Sequence, residues 1–166
     1  MFSDAPILIV EDNLYLAVLG VKTGHMRPVI VPSRDRALRE RARELTAAVG
    51  LEGREATLVG SLSHGEQRQL EVAMARAANP TLMMLDEPAS GLSRGERVAL
   101  TDLLLKLDPS ITLILIEHDM DVALRVAQRV TMMHEGRVIV EGSPAEIRAN
   151  QTVHDLYLGR GYQPDE

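Results

Sequence analysis

The most informative stretch of the sequence covers residues 62–88 and reads LSHGEQRQLEVAMARAANPTLMMLDEP. Its first part predicts the start of a long helix, with the hydroxyl residue Ser63 at the N-cap and Gly65 close behind it. Backbone N–H groups and the helix dipole at such a start can face an anion. Phosphate is the natural anion for this position.

The second part of the stretch is an apolar run, 82–85, that ends in Asp86 and Glu87. The run predicts a buried parallel strand, and open α/β sheets bind ligands beyond the C-terminal ends of their strands. At that place one carboxylate can hold Mg²⁺ and its neighbour can take a proton from water. The two parts of the stretch together predict nucleotide hydrolysis.

A second strand with a similar ending follows at residues 111–119, ITLILIEHD. Six apolar or β-branched residues in a row predict a strand that is covered on both faces, and His118 would then emerge at the same sheet edge as Asp86 and Glu87. A lone histidine after a strand is more often structural than catalytic. A clear amphipathic helix at 94–107 connects the two strands.

The segments before residue 62 predict a small helical module. Residues 7–19 turn helical after Glu11, and 20–32 are predicted to form an irregular connector. Residues 33–49 then form an amphipathic helix with Ser33 as its N-cap. A solvated helical cap without a site of its own is an equally good interpretation of this region.

The segments after the second strand predict a helix at 121–129, a hairpin of strands at 130–134 and 137–141, and a final helix. Ser143 and Glu146 have the spacing of a capping box at the start of that final helix. The methionines within predicted strands are interpreted as core filling, namely Met83, Met84, Met132 and Met133.

Composition narrows the class of protein. The chain has 166 residues, of which 45% are hydrophobic and 25% charged, as in a soluble globular domain. A net charge of -6 and an aromatic content of 2% argue against a nucleic-acid partner, because phosphate contacts need basic groups and base stacking needs rings. No apolar run approaches the ~20 residues of a membrane span, so membrane association would come through a partner protein.

With these motifs in this order, the chain resembles the ATP-binding subunits of ABC transporters, whose signature sequence precedes the Walker B strand at about this distance. The phrases HEGRVIVEGSP at 134–144, EIRANQTV at 146–153 and LYLG at 156–159 most resemble the branched-chain amino-acid and related urea or amide importers. The resemblance implies an α/β fold: a partial P-loop NTPase (RecA-like) core with a mostly parallel sheet, plus an N-terminal helical signature subdomain. It also implies three parts, at 1–78, 79–130 and 131–166.

The resemblance implies roles for the sheet-edge residues. Asp86 corresponds to the Walker B aspartate that holds Mg²⁺ through water, and Glu87 to the general base that deprotonates the attacking water. His118 corresponds to the switch histidine that reaches the γ-phosphate. The alternative to a catalytic role is that Asp86 and Glu87 only end the strand as solvent-exposed acids. The strongly apolar strand before Asp86 argues against this alternative.

The resemblance also implies residues that bind ATP across a dimer interface. The signature and the D-loop would supply them, namely Ser63, His64, Gly65 and Glu66, with Ser90 and Gly91. His64 and Glu66 depart mildly from the commoner glycine and glutamine. Ser93 stands where the D-loop usually has an aspartate. An ordinary N-cap role for Ser63 is compatible with anion binding.

A phosphate-cradling loop of the form G-x-x-x-x-G-K-[ST] is missing from the sequence, since no Gly-Lys dipeptide occurs. The two lysines, Lys22 and Lys106, lack the required neighbours. The glutamine that senses Mg²⁺ in the family is also not identifiable, because the first glutamine is Gln67. We therefore expect a truncated chain that covers the C-terminal portion of the family's ATPase domain.

The expected function is that of an ATP-hydrolysing subunit of an ABC importer, with ATP and Mg²⁺ as cofactors. Its expected partners are a second ATPase subunit, identical or not, and transmembrane permease subunits that hold it at the cytoplasmic face of the cell membrane. The alternative is a non-catalytic module that lends only its signature to a complete partner ATPase. A chromosome-maintenance ATPase is disfavoured because coiled-coil heptads and a basic face are absent.

Overall fold

The computed structural model describes residues 9–23 and 36–153. The predicted Ser33 cap, the connector from residue 24 onward and the phrase at 156–159 lie outside the described residues. The helices are α1 (Val10–Thr23), α2 (Arg36–Ala48), α3 (His64–Arg76), α4 (Arg94–Leu105), α5 (Met120–Val126), α6 (Pro144–Ala149) and the one-turn α7 (Gln151–Val153), with a 3-10 turn at Val59–Ser61. The strands are β1 (Leu82–Asp86), β2 (Thr112–Ile116), β3 (Val130–His134) and β4 (Arg137–Gly142).

Strands β1 and β2 pair in parallel, with Leu82 opposite Thr112 and Asp86 opposite Ile116. Because this register aligns the carboxyl ends of the two strands, the polar residues that follow them share one sheet edge. The predicted α/β class and the common edge are both confirmed. The helix predicted at 94–107 connects the strands and ends earlier, at Leu105.

A continuous hydrophobic core holds the helices against one face of this sheet. It includes Tyr15 of α1, Leu45 of α2, Leu70 of α3 and Leu100 of α4, all of which are buried. Half-buried side chains of β1 and β2, among them Leu85, pack against it. Burying one such side chain contributes roughly 1.5–3 kcal/mol to stability. Because side chains of α3 and of both strands belong to the same core, the start of α3 has a fixed position relative to the sheet edge.

The opposite face of the sheet is exposed, which corrects the prediction of strands covered on both faces. The exposed fractions are 49% for Leu82, 64% for Met84, 43% for Ile114 and 53% for Ile116. An unbroken apolar run has no period, so it cannot distinguish a strand with one covered face from a strand with two. Among the methionines expected in the core, Met83 and Met132 are buried, whereas Met84 and Met133 are exposed.

We expect the exposed sheet face to make the 166-residue chain self-associate, because contiguous apolar surface of this kind promotes association. Met84→Lys should reduce the association, since it places a charge at the centre of that face. Sedimentation velocity across a concentration series is the measurement. Met74→Lys on α3 is the matched control, because Met74 is 39% exposed and lies on a helix. An equal effect of both substitutions would contradict the expectation.

Helix α1 corrects the predicted boundaries at the start of the chain. It begins at Val10 and continues through Gly20 to Thr23, into the segment predicted to be irregular. One helical glycine costs about 1 kcal/mol relative to alanine, which tertiary packing readily offsets. That packing comes from α2, where Arg39 donates to Glu11 at 3.0 Å and stacks 5.4 Å above the Tyr15 ring.

The predicted hairpin is confirmed, with β3 and β4 antiparallel and a bulge between Met132 and Met133. Its turn has Glu135 at φ 48° and Gly136 at φ 74°, the two left-handed residues of a tight hairpin connection. The helix before it ends at Val126 instead of residue 129, because Ala127 adopts extended backbone. A second apolar cluster packs the hairpin against the C-terminal turns and contains Leu124, Met132, Ile147 and Val153.

Candidate active site

The end of β1 turns sharply so that Glu87 stands at the sheet edge. Glu87 has φ 46°, a left-handed conformation that is unusual for a residue with a side chain. Its backbone N–H donates to the carbonyl of Ile116 at 2.8 Å, so β2 holds the turn in place. Asp86 precedes the turn as the last strand residue, and both carboxylates are accessible to solvent.

His118 lies next to Glu87, as the sequence predicts for a shared sheet edge. Its Nδ1 is 3.4 Å from Oε1 of Glu87, and the side chains are 68% and 52% exposed. The contact is ionic only when the imidazole is protonated, and a neutral imidazole can carry its hydrogen on either ring nitrogen. The pair is thus suited to hold and move one proton at the sheet edge.

Glu117 is a further residue of this edge to which sequence reasoning gave no role. Its Oε1 accepts the backbone N–H of Ala89 at 2.8 Å, and its Oε2 accepts those of His118 at 3.1 Å and Asp119 at 3.2 Å. One carboxylate therefore ties the loop after β1 to the loop after β2. The acid that directly precedes His118 was the available signal, although its backbone partners could not be read from sequence.

Asp119 connects the loop after β2 to helices α4 and α5. Its Oδ1 accepts the N–H groups of Asp121 and Val122 as the N-cap of α5, and its Oδ2 lies 3.5 Å from Nε of Arg97 on α4. The capping bonds fix where α5 begins. The ion pair orients α4 toward the sheet edge.

The sheet edge suits Mg²⁺ in its donor chemistry. Mg²⁺ prefers oxygen ligands, and proteins usually hold it with one or two carboxylates together with waters and phosphate oxygens. Asp86 and Glu87 provide carboxylates at the edge, and Asp86 has no hydrogen-bonding partner among the described side chains. Within residues 9–23 and 36–153, no group of three or more histidine, aspartate or glutamate side chains is arranged to hold a metal ion.

The predicted signature residues form the N-terminus of α3. Ser63 is the N-cap, its Oγ accepts the N–H of Glu66 at 3.2 Å, and the Glu66 carboxylate accepts the N–H of Ser63 at 2.8 Å. Arg54 pairs with the other oxygen of Glu66 at 3.0 Å. Ser63 and His64 are exposed to solvent and available to a ligand or partner. The N-cap interpretation of Ser63 is therefore confirmed, and nucleotide binding by it stays a prediction.

Gly65 has a different partner from the phosphate expected of it. Its backbone N–H donates to Oε1 of Glu96, a residue of α4, at 2.9 Å. A side chain at this position would collide with Glu96, since a Cβ atom would lie 2.7 Å from the Glu96 Cγ. The glycine is thus required by a close approach of two helices, which sequence reasoning missed.

Glu96 also caps its own helix. Its Oε2 accepts the N–H of Ser93 at 3.0 Å and the hydroxyl of Ser93 at 2.7 Å, which completes a capping box at the start of α4. These bonds to Ser93, together with the N–H of Gly65, lower the pKa of Glu96 from 4.5 to about 2. The carboxylate therefore stays ionised at every physiological pH.

The lowered pKa of Glu96 predicts part of the acid sensitivity of the fold. A carboxyl group whose pKa falls on folding adds stability that is fully present above its unfolded value, here 4.5, and is lost as the pH drops toward about 2. Glu96→Gln should remove that portion, so its melting temperature should fall less than that of the wild type between pH 6 and pH 3. Differential scanning calorimetry at both pH values tests this, and parallel losses in the two proteins would contradict it.

A shallow groove brings the signature next to the predicted D-loop. It is bounded by the loop that follows Glu87 and by the first turns of α3. Gly91, with φ 74°, allows that loop to turn back toward α4. The residues that line the groove are His64, Gln67, Arg68, Glu71, Ser90 and Gly91.

The predicted site residues therefore form two groups. Asp86, Glu87 and His118 share the sheet edge, while Ser63 to Glu66 form the start of α3, from which His64 lines the groove with Ser90 and Gly91. Within the described residues the two groups adjoin through the backbone, where the N–H of Ser90 donates to the carbonyl of Glu87 at 3.1 Å.

Comparison with known families gives two matches. The sequence-family model described as "ABC transporter" matches residues 3–90. The sequence-family model described as "Branched-chain amino acid ATP-binding cassette transporter" matches residues 137–163. The first match includes the helix start at α3 and the end of β1. The second includes strand β4 and helix α6.

Curated relatives carry the same description. The high-affinity branched-chain amino acid transport ATP-binding protein LivG of Escherichia coli K12 is 33% identical over 157 residues, which is 91% of this chain and 62% of LivG. The corresponding protein BraF of Pseudomonas aeruginosa is 38% identical over 102 residues, or 60% of this chain and 40% of BraF. The chain spans less than two thirds of the length of these relatives.

Solved structures agree on the fold. The ADP conformation of an ATP-binding cassette from an ABC transporter aligns with a TM-score of 0.75 at 22% identity, over 93% of this chain and 64% of its own. An inward-facing putative metal-chelate type ABC transporter aligns with a TM-score of 0.75 at 19% identity, over 95% of this chain and 61% of its own. The likeness places the parallel sheet and its helices in the same architecture.

Proposed function

Because the chain belongs to the ABC transporter family, we propose that it supplies the hydrolytic sheet edge and the signature of an ATP-binding subunit that drives import of branched-chain amino acids. The observation that carries the proposal is the contact between Glu87 and His118 beside Asp86. The branched-chain substrate is supported by the C-terminal family match and by the names of LivG and BraF.

In this proposal Glu87 is the general base and His118 its positioning partner. A water between the Glu87 carboxylate and the γ-phosphate would lose a proton to Oε1 as its oxygen bonds to the γ-phosphorus and the bond to the departing ADP oxygen breaks. The imidazole 3.4 Å away would keep that carboxylate oxygen oriented. Asp86 would hold Mg²⁺ through water, and the ion would neutralise charge on the phosphates. The fixed turn at Glu87, anchored on β2, keeps the base in place.

The signature group serves the nucleotide of a second subunit. Ser63 and His64 are exposed at the helix start, and His64 lines the groove together with Ser90 and Gly91. In the proposed dimer, each ATP lies between the sheet edge of one subunit and the signature of the other. Permease subunits would hold the dimer at the cytoplasmic face of the membrane, and none of the described helices has the length and apolarity to cross a bilayer.

The 166 residues alone are expected to bind MgATP very weakly and to show no significant turnover. The reason is that they contain no Gly-Lys phosphate loop, whose N–H groups and lysine neutralise the phosphates. Isothermal titration calorimetry with a coupled phosphate assay measures both properties. A dissociation constant in the low micromolar range together with turnover would contradict the expectation and would require another phosphate site.

A second candidate function is a non-catalytic module that lends its signature to a complete ATPase. The well-formed start of α3 favours it, together with the missing Gly-Lys dipeptide. The two functions differ in what they require of Glu87. Only the catalytic subunit needs its carboxylate.

The experiment that tests the transport function is deletion of the gene in its own organism. Uptake of labelled leucine, isoleucine and valine at low concentration is expected to be lost and to return with the wild-type gene. Sulfate and methionine uptake are the controls, because other relatives of this chain carry those import functions in their names. Unchanged branched-chain uptake with loss of urea or amide uptake would overturn the substrate class.

A further inference from the structure

One carboxylate links the starts of two helices in this chain. Glu96 accepts the N–H of Gly65 with Oε1, and it accepts the N–H and hydroxyl of Ser93 with Oε2. The first bond connects positions 31 apart in sequence. The start of α3, which carries the signature, is thereby tied to the start of α4, which ends the predicted D-loop.

Two other capping boxes in the described residues show that this link is more than a helix cap. Ser63 and Glu66 cap α3, and Ser143 and Glu146 cap α6, with the same reciprocal bonds. Among these boxes only the glutamate of α4 also accepts the N–H of a residue on another helix. Glu146 is therefore a matched control that has the cap and lacks the link.

The link also dictates the residue at position 65. A Cβ atom there would lie 2.7 Å from Cγ, 2.9 Å from Cβ and 2.9 Å from Oε1 of Glu96. Gly65 lies in the first turn of α3, where alanine would otherwise be favoured over glycine by about 1 kcal/mol. The close contact therefore overrides the intrinsic helix preference.

We propose that Glu96 is a positioning residue that holds the signature and the D-loop at a fixed separation, so that both engage the nucleotide across the dimer as one unit. This role rests on the proposed function. The two segments line one groove, and a shift of about 1 Å in either can cost as much as 100-fold in rate when geometry limits the reaction. Glu96 itself does not touch the reacting atoms.

The contact is tested on the 166-residue chain. Protein labelled with ¹⁵N-glycine gives at most twelve glycine amide signals, and the one that Gly65→Ala removes is that of Gly65. Exchange of this amide with D₂O is expected to be slow in the wild type and in Ser93→Ala, and faster by about tenfold or more in Glu96→Ala. Unchanged protection in Glu96→Ala would overturn the proposal.

A thermal cycle tests the steric part of the contact. Gly65→Ala is expected to lower Tm by several degrees in the wild type and to leave it unchanged or raise it in Glu96→Gly. Glycine is used at 96 because even the Cβ of an alanine would lie too close. Equal effects of Gly65→Ala in both backgrounds would overturn the proposal.

The positioning role is tested in a hybrid ATPase, in which the chain is joined to the part of Escherichia coli LivG that it does not span. Glu96→Ala is expected to lower kcat about 10- to 100-fold while the affinity of the monomer for nucleotide stays unchanged. Glu96→Gln should restore part of kcat, because it keeps one acceptor for Gly65. Glu146→Ala should match the wild type.

The outcomes separate this inference from the proposed function. A wild-type hybrid without ATPase activity would overturn the proposed function and the role of Glu96 that rests on it. An active hybrid in which Glu96→Ala turns over at the wild-type rate would overturn the positioning role alone. A fall in kcat equal to that caused by Glu146→Ala would do the same, since loss of a helix cap would then explain it.

Discussion

Replacing Glu87 by Gln is expected to reduce ATP turnover of the hybrid subunit by about 10²- to 10⁴-fold, the range attributed to a general base. Glutamine keeps the shape and the hydrogen-bonding reach of the side chain but cannot accept the proton of the attacking water. The turn that carries residue 87 should survive, because it depends on the backbone bond to Ile116 at 2.8 Å. ATP should therefore still bind, and the closed dimer should accumulate.

Asp86→Asn is the informative comparison for Glu87→Gln. Loss of a carboxylate near Mg²⁺ weakens the metal site itself, so nucleotide affinity in Mg²⁺ should fall together with turnover. Phosphate release and fluorescent-nucleotide binding measure the two effects side by side. Wild-type hydrolysis by Glu87→Gln would exclude Glu87 as the base and favour the module that lends only its signature.

Ser63→Arg is expected to abolish ATP-dependent dimerisation of the hybrid and to lower turnover by about 100-fold or more, as in the loss of a contact that forms only in the transition state. Ser63 is exposed at the start of α3, so an arginine there would project into the proposed interface. Nucleotide affinity of the monomer should hardly change, because in the proposed dimer the signature contacts the nucleotide of the other subunit.

The control for Ser63→Arg must also lose a helix cap, which costs about 1 kcal/mol. Ser143→Arg meets this need, since Ser143 caps α6 in the same kind of box and belongs to neither site group. Size-exclusion chromatography with ATP and Mg²⁺ compares the two variants. A dimer that still forms with Ser63→Arg, or one that fails to form with Ser143→Arg, would contradict the proposed role of the signature.

The sequence was sufficient to predict the sheet edge, because two apolar runs each ended in acidic or imidazole side chains. The parallel register that aligns Asp86 with Ile116 then follows from the α/β connection through α4. The hairpin was predictable for a similar reason, since Glu135 and Gly136 mark a turn between two β-branched runs. These features depend on residues that are close together in sequence, which is why the sequence alone could predict them.

The remaining features depend on contacts between distant parts of the chain. Nothing in an apolar run shows which face a neighbour covers, so the exposure of Met84 could not be predicted. The S-x-x-E pattern at 93–96 indicates a capping box, but its second partner, Gly65, lies 31 positions away. The division into parts at 1–78, 79–130 and 131–166 stays a prediction.

We propose that the sheet edge of this chain hydrolyses ATP with Glu87 as the base. The most direct measurement is the nucleotide recovered from the dimer fraction of the Glu87→Gln hybrid after incubation with radiolabelled ATP and Mg²⁺. We expect intact ATP from the variant, and ADP from wild-type protein treated in the same way. Recovery of ADP from the variant dimer, at the rate of the wild type, would contradict the claim.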